Sequence, residues 1–519
     1  AAVAIRVYQR SGSPSYKLSW MCLLLILPVA GMLLFCLWGG THQAKQLSLK
    51  PVPPIPQRES AKMLSDLNQT ALTRRSPAWG RLAAYLQKRQ FWLYRNTDAA
   101  YFGEGESFFR DLVEHLRQAE TYIFMEYYIL AEGTVWDEIF AVLKERAAAG
   151  VEIHLIIDDF GTLTRLSDGT LQAIKDAGIE VEIFNPVHRY INRLYFNYRD
   201  HRKITVIDGY VAYAGGINIG DEYANRIERF GYWKDSGVRL EGPGATSLAG
   251  IFLTFWKAKY PDEEIDPARD LPEVKPQETD CLVQPFADSP VDREAVAKNT
   301  YLELINQAQK RLYICTPYLI LDNDLLSCLR LAAKRGVDVE LILPHVPDKK
   351  FAFALAKGHY RELLDAGVKI YEYTPGFVHA KVFVSDDRKA VVGTINLDYR
   401  SLYLHFEDAV YLYDCPCIKD IVADYDATRA QSQVVTHGDL ARIPLHTRIA
   451  AALLKLVQVA ADGGFAGIQR LAKLLHRRGA LLAQQLHDAG KPLLCQHLHP
   501  SCCTFLPVFE SFWLFLSVL

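Results

Sequence analysis

The sequence predicts an α/β fold built twice over, and three observations carry that prediction. From about residue 85, short β-rich runs alternate with amphipathic helical runs, the pattern of strands interleaved with helices. The pattern then repeats at long range. Each copy also ends on the same set of chemically active residues at the same spacing. Composition agrees with a folded chain. Half of the 519 residues are hydrophobic and 23% are charged, which excludes a largely disordered protein and a polytopic transporter. Lys+Arg number 58 against 60 Asp+Glu, a net charge of −2, without the basic excess of a dedicated nucleic-acid binder.

Residues 1–49 read as a membrane region. Trp20 to Trp38 is WMCLLLILPVAGMLLFCLW, nineteen residues without a charge. At roughly 1.5 Å per residue such a helix nearly spans the hydrocarbon core of a bilayer. Pro28 is tolerated in a membrane helix, and tryptophans at both ends suit the interfaces. The run is too long for a signal peptide, and no small-x-small cleavage site follows. The opening AAVAI reads as the tail of an earlier apolar segment. Residues 50–84 follow as a linker that starts with the stiff KPVPPIP.

The first α/β half is expected over 85–262. Tyr122–Ile129, YIFMEYYI, has a buried-strand pattern, and VEIHLIID follows Gly150. The second half, expected over 291–440, has LYICTPYLI from Leu312 and VDVELILP after Gly336. The next pair is DAGIEVEIF at 176–184 and DAGVKIYEY at 365–373. Between the halves, 263–290 is rich in Pro, Asp and Glu and reads as a solvated connector. Residues 441–519 form an amphipathic and apolar tail. Its stretch 467–490 has leucines near helical period with Arg470, Lys473, Arg477 and Arg478. That suits a helix lying on an anionic membrane or packed on the catalytic domain.

The chemistry lies at the end of each copy. HRKITVIDGYVAYAGGIN places His201, Lys203 and Asp208 as H-x-K-x4-D, followed by Gly215 and Asn218. HAKVFVSDDRKAVVGTIN places His379, Lys381 and Asp386 at the same spacing, followed by Gly393 and Asn396, and all six His, Lys and Asp residues are expected to be catalytic. One such motif would be a weak signal. Two at equivalent ends of a duplicated unit, with equal Gly and Asn offsets, are not accidental. Side chains alternate along a strand, so His and Lys two apart project together. Two such faces around one phosphate supply a neutral imidazole to attack phosphorus and a second to protonate the leaving alkoxide. Lys203, Lys381, Asn218 and Asn396 would hold the non-bridging oxygens. Each imidazole needs a carboxylate to fix its tautomer. Glu407, 28 residues after His379, and Asp235, 34 after His201, are the candidates, with a plain surface acid the alternative for each. The set needs no metal or other cofactor.

The ten cysteines are scattered, and a disulfide framework is not expected in a chain this long. Cys415 and Cys417 are too close for a metal-ligand pair of the CxxC type. Cys495, His497, His499, Cys502 and Cys503 carry zinc-type atoms at a spacing that matches no familiar site.

These motifs resemble the phospholipase D superfamily, and within it the bacterial cardiolipin synthases. The likeness runs from the LPVAG-containing apolar helix through NYRDHRKITVIDG, YWKDSGVRLEGPG, FADSP, TPYLILDN and FVHAKVFVSD to about 440. It departs at Thr394, where the superfamily often has Ser, and at Leu319 and Leu321. None of the three is expected to touch the His/Lys set. The resemblance implies two similar halves, each a mixed β-sheet flanked by helices, sharing one active site. It implies a phosphatidyltransferase at the bacterial inner membrane, anchored by the N-terminal helix. Its partners would be phosphatidylglycerol and membrane lipids, with no nucleic acid. One phosphatidylglycerol would phosphatidylate a histidine and release glycerol, and a second would take the phosphatidyl group. His201 is expected to be the nucleophile and His379 the acid, with the reverse open. Part of that expectation is an aromatic lip before His201 (Phe184, Tyr190, Tyr195, Phe196 and Tyr198). A hydrolase of the same superfamily and a catalytically dead scaffold are the rival readings.

Overall fold

A computed structural model describes residues 59–186, 198–291 and 294–441, with 2–8 and scattered positions between 17 and 35. Its strands in chain order are β1 (Tyr94–Arg95), β2 (Asp98–Phe102), β3 (Tyr122–Tyr127), β4 (Glu152–Asp158), β5 (Glu180–Phe184) and β6 (Arg199–Asp200). They continue with β7 (Lys203–Ile207), β8 (Val211–Gly215), β9 (Tyr232–Lys234), β10 (Gly237–Glu241), β11 (Leu282–Asp288) and β12 (Arg311–Cys315). The remainder are β13 (Asp338–Pro344), β14 (Lys369–Tyr373), β15 (Gly376–Val378), β16 (Val382–Ser385), β17 (Lys389–Gly393), β18 (His405–Tyr413) and β19 (Ser432–Val434).

The duplication is explicit in the sheets. The first sheet runs β2-β10-β8-β7-β3-β4-β5, and the second contains β11-β18-β17-β16-β12-β13-β14 in the same order. In each, the pair nearest the crossover helices is parallel (β3 with β4, β12 with β13) and the motif strands are antiparallel to it. The parallel strands are covered on both faces, which is why β3 and all but the first residue of β13 are buried. Helices cover the outer faces through regular apolar stripes. Helix Gly105–Arg117 turns Phe108, Phe109, Leu112 and Leu116 inward. Helix Ala245–Lys259 is buried almost all round. It packs in a core made jointly by β3, β7, β8 and β10 of one sheet and β16, β17 and β18 of the other. The two halves therefore share one hydrophobic core.

Both connecting stretches are more structured than their composition suggests. Within the expected linker, helices Glu59–Arg75 and Pro77–Lys88 bury Leu72, Trp79, Leu82 and Leu86 in the core of the second half. Within the expected connector, β11 is a buried strand paired with β18 over its whole length. It is the counterpart of β2, so the second half begins at 282 rather than 291. A disulfide joins Cys281 to Cys415, tying the start of β11 to the end of β18. That corrects the expectation from cysteine spacing: residues 134 apart become neighbours only through this strand pairing.

Among the described residues no helix is long and apolar enough to cross a membrane. The expected span 20–38 lies largely outside the described residues, as do the linker residues 50–56 and the tail beyond 441 with its Cys/His cluster. The rings of Trp20 and Phe35 lie 5.1 Å apart.

Candidate active site

Each H-x-K pair sits at the start of a central strand of its sheet. His201 precedes β7, which begins at Lys203, and His379 and Lys381 lie between β15 and β16. Parallel pairing of β6 with β18 sets His405 beside Arg199, and His201 N–H donates to the Phe406 carbonyl at 2.9 Å. His379 N–H donates to the Lys234 carbonyl at 2.7 Å. Each motif is thus hung on the backbone of the opposite half.

The side chains cross over as well. His201 Nδ1 lies 2.9 Å from Oε2 of Glu407, and His379 Nδ1 lies 2.6 Å from Oδ2 of Asp235. Both carboxylates are fully buried, so neither is a surface acid. With Nδ1 as the donor, each imidazole keeps a lone pair on Nε2. The sequence had paired each carboxylate with the histidine upstream in its own half. The fold exchanges them: Glu407 lies on β18, which pairs with β6 of the first half, and Asp235 directly follows β9, which pairs with β15 of the second half. Gly215 allows this on one side: with φ +154°, its backbone runs so close to Ser236 that a Cβ would stand 2.5 Å from that carbonyl oxygen. A side chain at Gly216 would collide with the Asp235 carboxylate.

Burial dominates the electrostatics. It pushes His379 down to about 4, aided by Lys381 and opposed by the Asp235 carboxylate. His201 is held well below its usual value by burial and by Lys203 and Lys381. Burial also lowers Lys381 to about 7 and Lys203 to about 8. Asp235 stays below the usual carboxylate range: burial raises it, but His379 and Lys381 outweigh that. Both ammonium groups donate to the carbonyl of the histidine two residues before them. Two neutral imidazoles flanked by two lysines form a pocket for an anion, with a lone pair available on either side.

Not every residue of the motif joins this pocket. Asp208 and Asp386 follow their strands at φ +52° and +55° and turn away. Asp208 accepts from the backbone N–H groups of Glu120, Thr121 and Tyr122 at 2.7–2.9 Å, pinning the start of β3. Asp386 does the same for Gln309, Lys310 and Arg311 before β12. Asn218 is also occupied: its Oδ1 accepts from Ile129 N–H and its Nδ2 donates to the Tyr223 hydroxyl. Asn396 is buried, and its side-chain oxygen has no hydrogen-bond partner. Of the expected aromatic lip, Phe184 is buried against Phe255 and Phe406, Tyr198 packs on the shared core, and the rest lies outside the described residues.

Two residues escaped the sequence reading. Thr394 Oγ1 donates to Glu407 Oε2 at 2.5 Å, so this departure does bear on the histidine set. His405 stacks obliquely beside His201, ring centroids 5.6 Å apart. The only available signal was its position two residues before Glu407, where Trp233 stands two before Asp235. Among the described residues, His201, His405 and Glu407 also form the one cluster whose ligand-type atoms, within 4.8 Å of one another, are close enough for a metal ion.

Comparison with known proteins agrees with this architecture. The family model described as cardiolipin synthase, PLD-like domain matches residues 112–228 and 301–428, one H-x-K motif in each match. A phospholipase D–nuclease N-terminal model matches residues 1–40. An uncharacterized protein of Streptococcus mutans is 44% identical over 450 residues, covering 85% of this chain and 95% of that protein. A cardiolipin synthase of Halalkalibacterium halodurans is 32% identical over 428 residues, 82% of this chain and 84% of that one. The crystal structure of phosphatidylserine synthase from Haemophilus influenzae superposes with a TM-score of 0.54 at 18% identity, covering 70% of this chain and 94% of that one. That last likeness is one of fold, whereas the identities extend over most of both chains, and on them this chain belongs to the cardiolipin synthase family, with a phospholipase D-like domain in each half.

Proposed function

We propose that the chain is a membrane-associated cardiolipin synthase that moves a phosphatidyl group from one phosphatidylglycerol to another. The observation that carries this reading is the reciprocal pair of buried His–carboxylate contacts around two lysines. Lys203 and Lys381 hold the phosphodiester. His201 Nε2 attacks phosphorus, forming an N–P bond as the P–O bond to glycerol breaks; His379 enters this step as the imidazolium, a form that the bound phosphodiester anion and Asp235 favour, and its Nε2 proton goes to the departing glycerol oxygen. Glu407 stabilises the positive charge that arises on the His201 ring. A hydroxyl of a second phosphatidylglycerol then gives its proton back to His379 and attacks the phosphohistidine. Cardiolipin forms and His201 is released unchanged.

One contrast supports His201 as the nucleophile. Asp235 raises the proton affinity of His379, whereas the strongest influences on His201 all favour the neutral ring. The apolar N-terminal segment, within the region matched by the N-terminal family model, attaches the enzyme to the bacterial inner membrane. The catalytic unit comprises a first half up to about 262, a second half from 282, and the two helices of 59–88 docked on the second. Purified enzyme given labelled phosphatidylglycerol should yield a diphosphatidyl lipid and free glycerol on chromatography. Phosphatidic acid as the sole product would make the protein a hydrolase instead.

A further inference from the structure

We propose that His201, His405 and Glu407 form an inhibitory site for a soft divalent cation of the zinc class. Two imidazoles and a carboxylate are a donor set that such ions favour, and their ligand atoms already lie within 4.8 Å of one another.

The second observation is that the cluster is polar and unsatisfied. His405 is nine-tenths buried, and neither of its ring nitrogens has a hydrogen-bond partner. Its Nδ1 points toward Oε1 of Glu407 at 3.8 Å, beyond hydrogen-bond length, and that oxygen has no partner either. Buried polar atoms are normally paired, and a cation between these two would satisfy both at once. The pseudo-equivalent place in the other half has no such vacancy. There Trp233 replaces His405 and turns Nε1 to Asp235 at 3.4 Å, while the second oxygen of Asp235 accepts from Ser236 N–H.

Inhibition follows from the tautomer of His201. In the tautomer that donates Nδ1–H to Glu407, His201 keeps its Nε2 lone pair for phosphorus. A cation bound at Nδ1 takes the place of the proton there, and that proton moves to Nε2. The imidazole then has no electron pair for phosphorus, or, if His201 is the acid, the alcohol hydroxyl has no acceptor. No proton is gained or lost overall. Lys203 and Lys381, whose charges act on the His201 ring, oppose a cation there.

The test uses the full-length enzyme, zinc buffered at defined free concentrations, and labelled phosphatidylglycerol. Micromolar zinc should suppress turnover, EDTA should restore it, and magnesium at the same concentration should do nothing. His405→Phe and His405→Asn should each raise the half-inhibitory zinc concentration at least tenfold. Binding is read separately by equilibrium dialysis and X-ray absorption: one zinc per wild-type chain with two imidazole ligands. This readout stands whether or not the product is cardiolipin, so failure of the functional reading leaves it decisive. Zinc inhibition unchanged in both variants, or a bound zinc without two imidazoles, overturns the proposal. So does full activity at micromolar zinc.

Discussion

The surroundings of His201 and His379 differ more than the motif does. His379 is ringed by Tyr223, Trp233 and Phe377, centroids 5.7, 5.4 and 5.8 Å away. Its carboxylate, Asp235, has both oxygens engaged. His201 meets Tyr128 at 5.1 Å and His405 at 5.6 Å, and one oxygen of Glu407 has no hydrogen-bond partner, only His405 Nδ1 at 3.8 Å. Where Gly216 lies flat beneath Asp235, the equivalent Thr394 donates a hydrogen bond to Glu407. Duplication fixes the positions of the reacting groups, and divergence of their neighbours gives the two histidines different tasks. A ping-pong transfer needs that difference, since one ring must carry phosphorus while the other carries a proton.

The largest expected effect breaks the symmetry outright. His201→Ala and His379→Ala should each lower turnover at least ~100-fold, as loss of an acid–base group does, and neither residue should replace the other. Near-normal turnover in either variant would mean that the halves work separately.

A pH profile sharpens the comparison of the lysines. Each ammonium is charged below its pKa, about 7 for Lys381 and about 8 for Lys203, and holds phosphate only when charged. The free-enzyme parameter kcat/KM should therefore fall as pH rises through 7–8. In the complex the phosphate favours the charged form, so kcat should hold to higher pH. A kcat/KM that stays level from pH 6 to beyond pH 9 would show that the lysines stay charged in the free site.

Smaller effects separate the Glu407 side from the Asp235 side. Thr394→Val removes a hydrogen bond to a buried carboxylate and should cost about tenfold in turnover, equivalent to about 1.4 kcal/mol, with Thr394→Ser close to wild type. Equal activity of the Val variant would make Thr394 a spectator. Smallest of all in catalysis, Asp208→Asn and Asp386→Asn should leave KM unchanged and lower stability by about 1–2 kcal/mol each, since these carboxylates pin backbone amides. Denaturation and steady-state kinetics on the same preparations distinguish that from a catalytic role.

Much of this was legible in the sequence. Burial on both faces leaves continuous apolar runs such as YIFMEYYI and VDVELILP, and these gave the parallel strands directly. The doubled motif located both histidines and lysines. What stayed hidden depends on contacts between the halves. The exchange of Asp235 and Glu407 is set by the pairing of β9 with β15 and of β18 with β6, and no spacing within one half encodes that. β11 was masked by its acidic, Pro-rich setting, since only its pairing with β18 makes LVQPFAD a buried strand. The motif aspartates read as catalytic because a pattern of residues does not say which way a left-handed turn aims a carboxylate.

The central claim is that one site is assembled crosswise, and histidine-selective 15N NMR tests it most directly. Each Nδ1–H bonded to a buried carboxylate gives its own downfield resonance, assignable from His201→Ala and His379→Ala. Glu407→Gln should move the His201 resonance and leave His379 in place, and Asp235→Asn should move His379 alone. If each substitution instead perturbed the histidine of its own half, the exchange between halves, and the shared site built on it, would be contradicted.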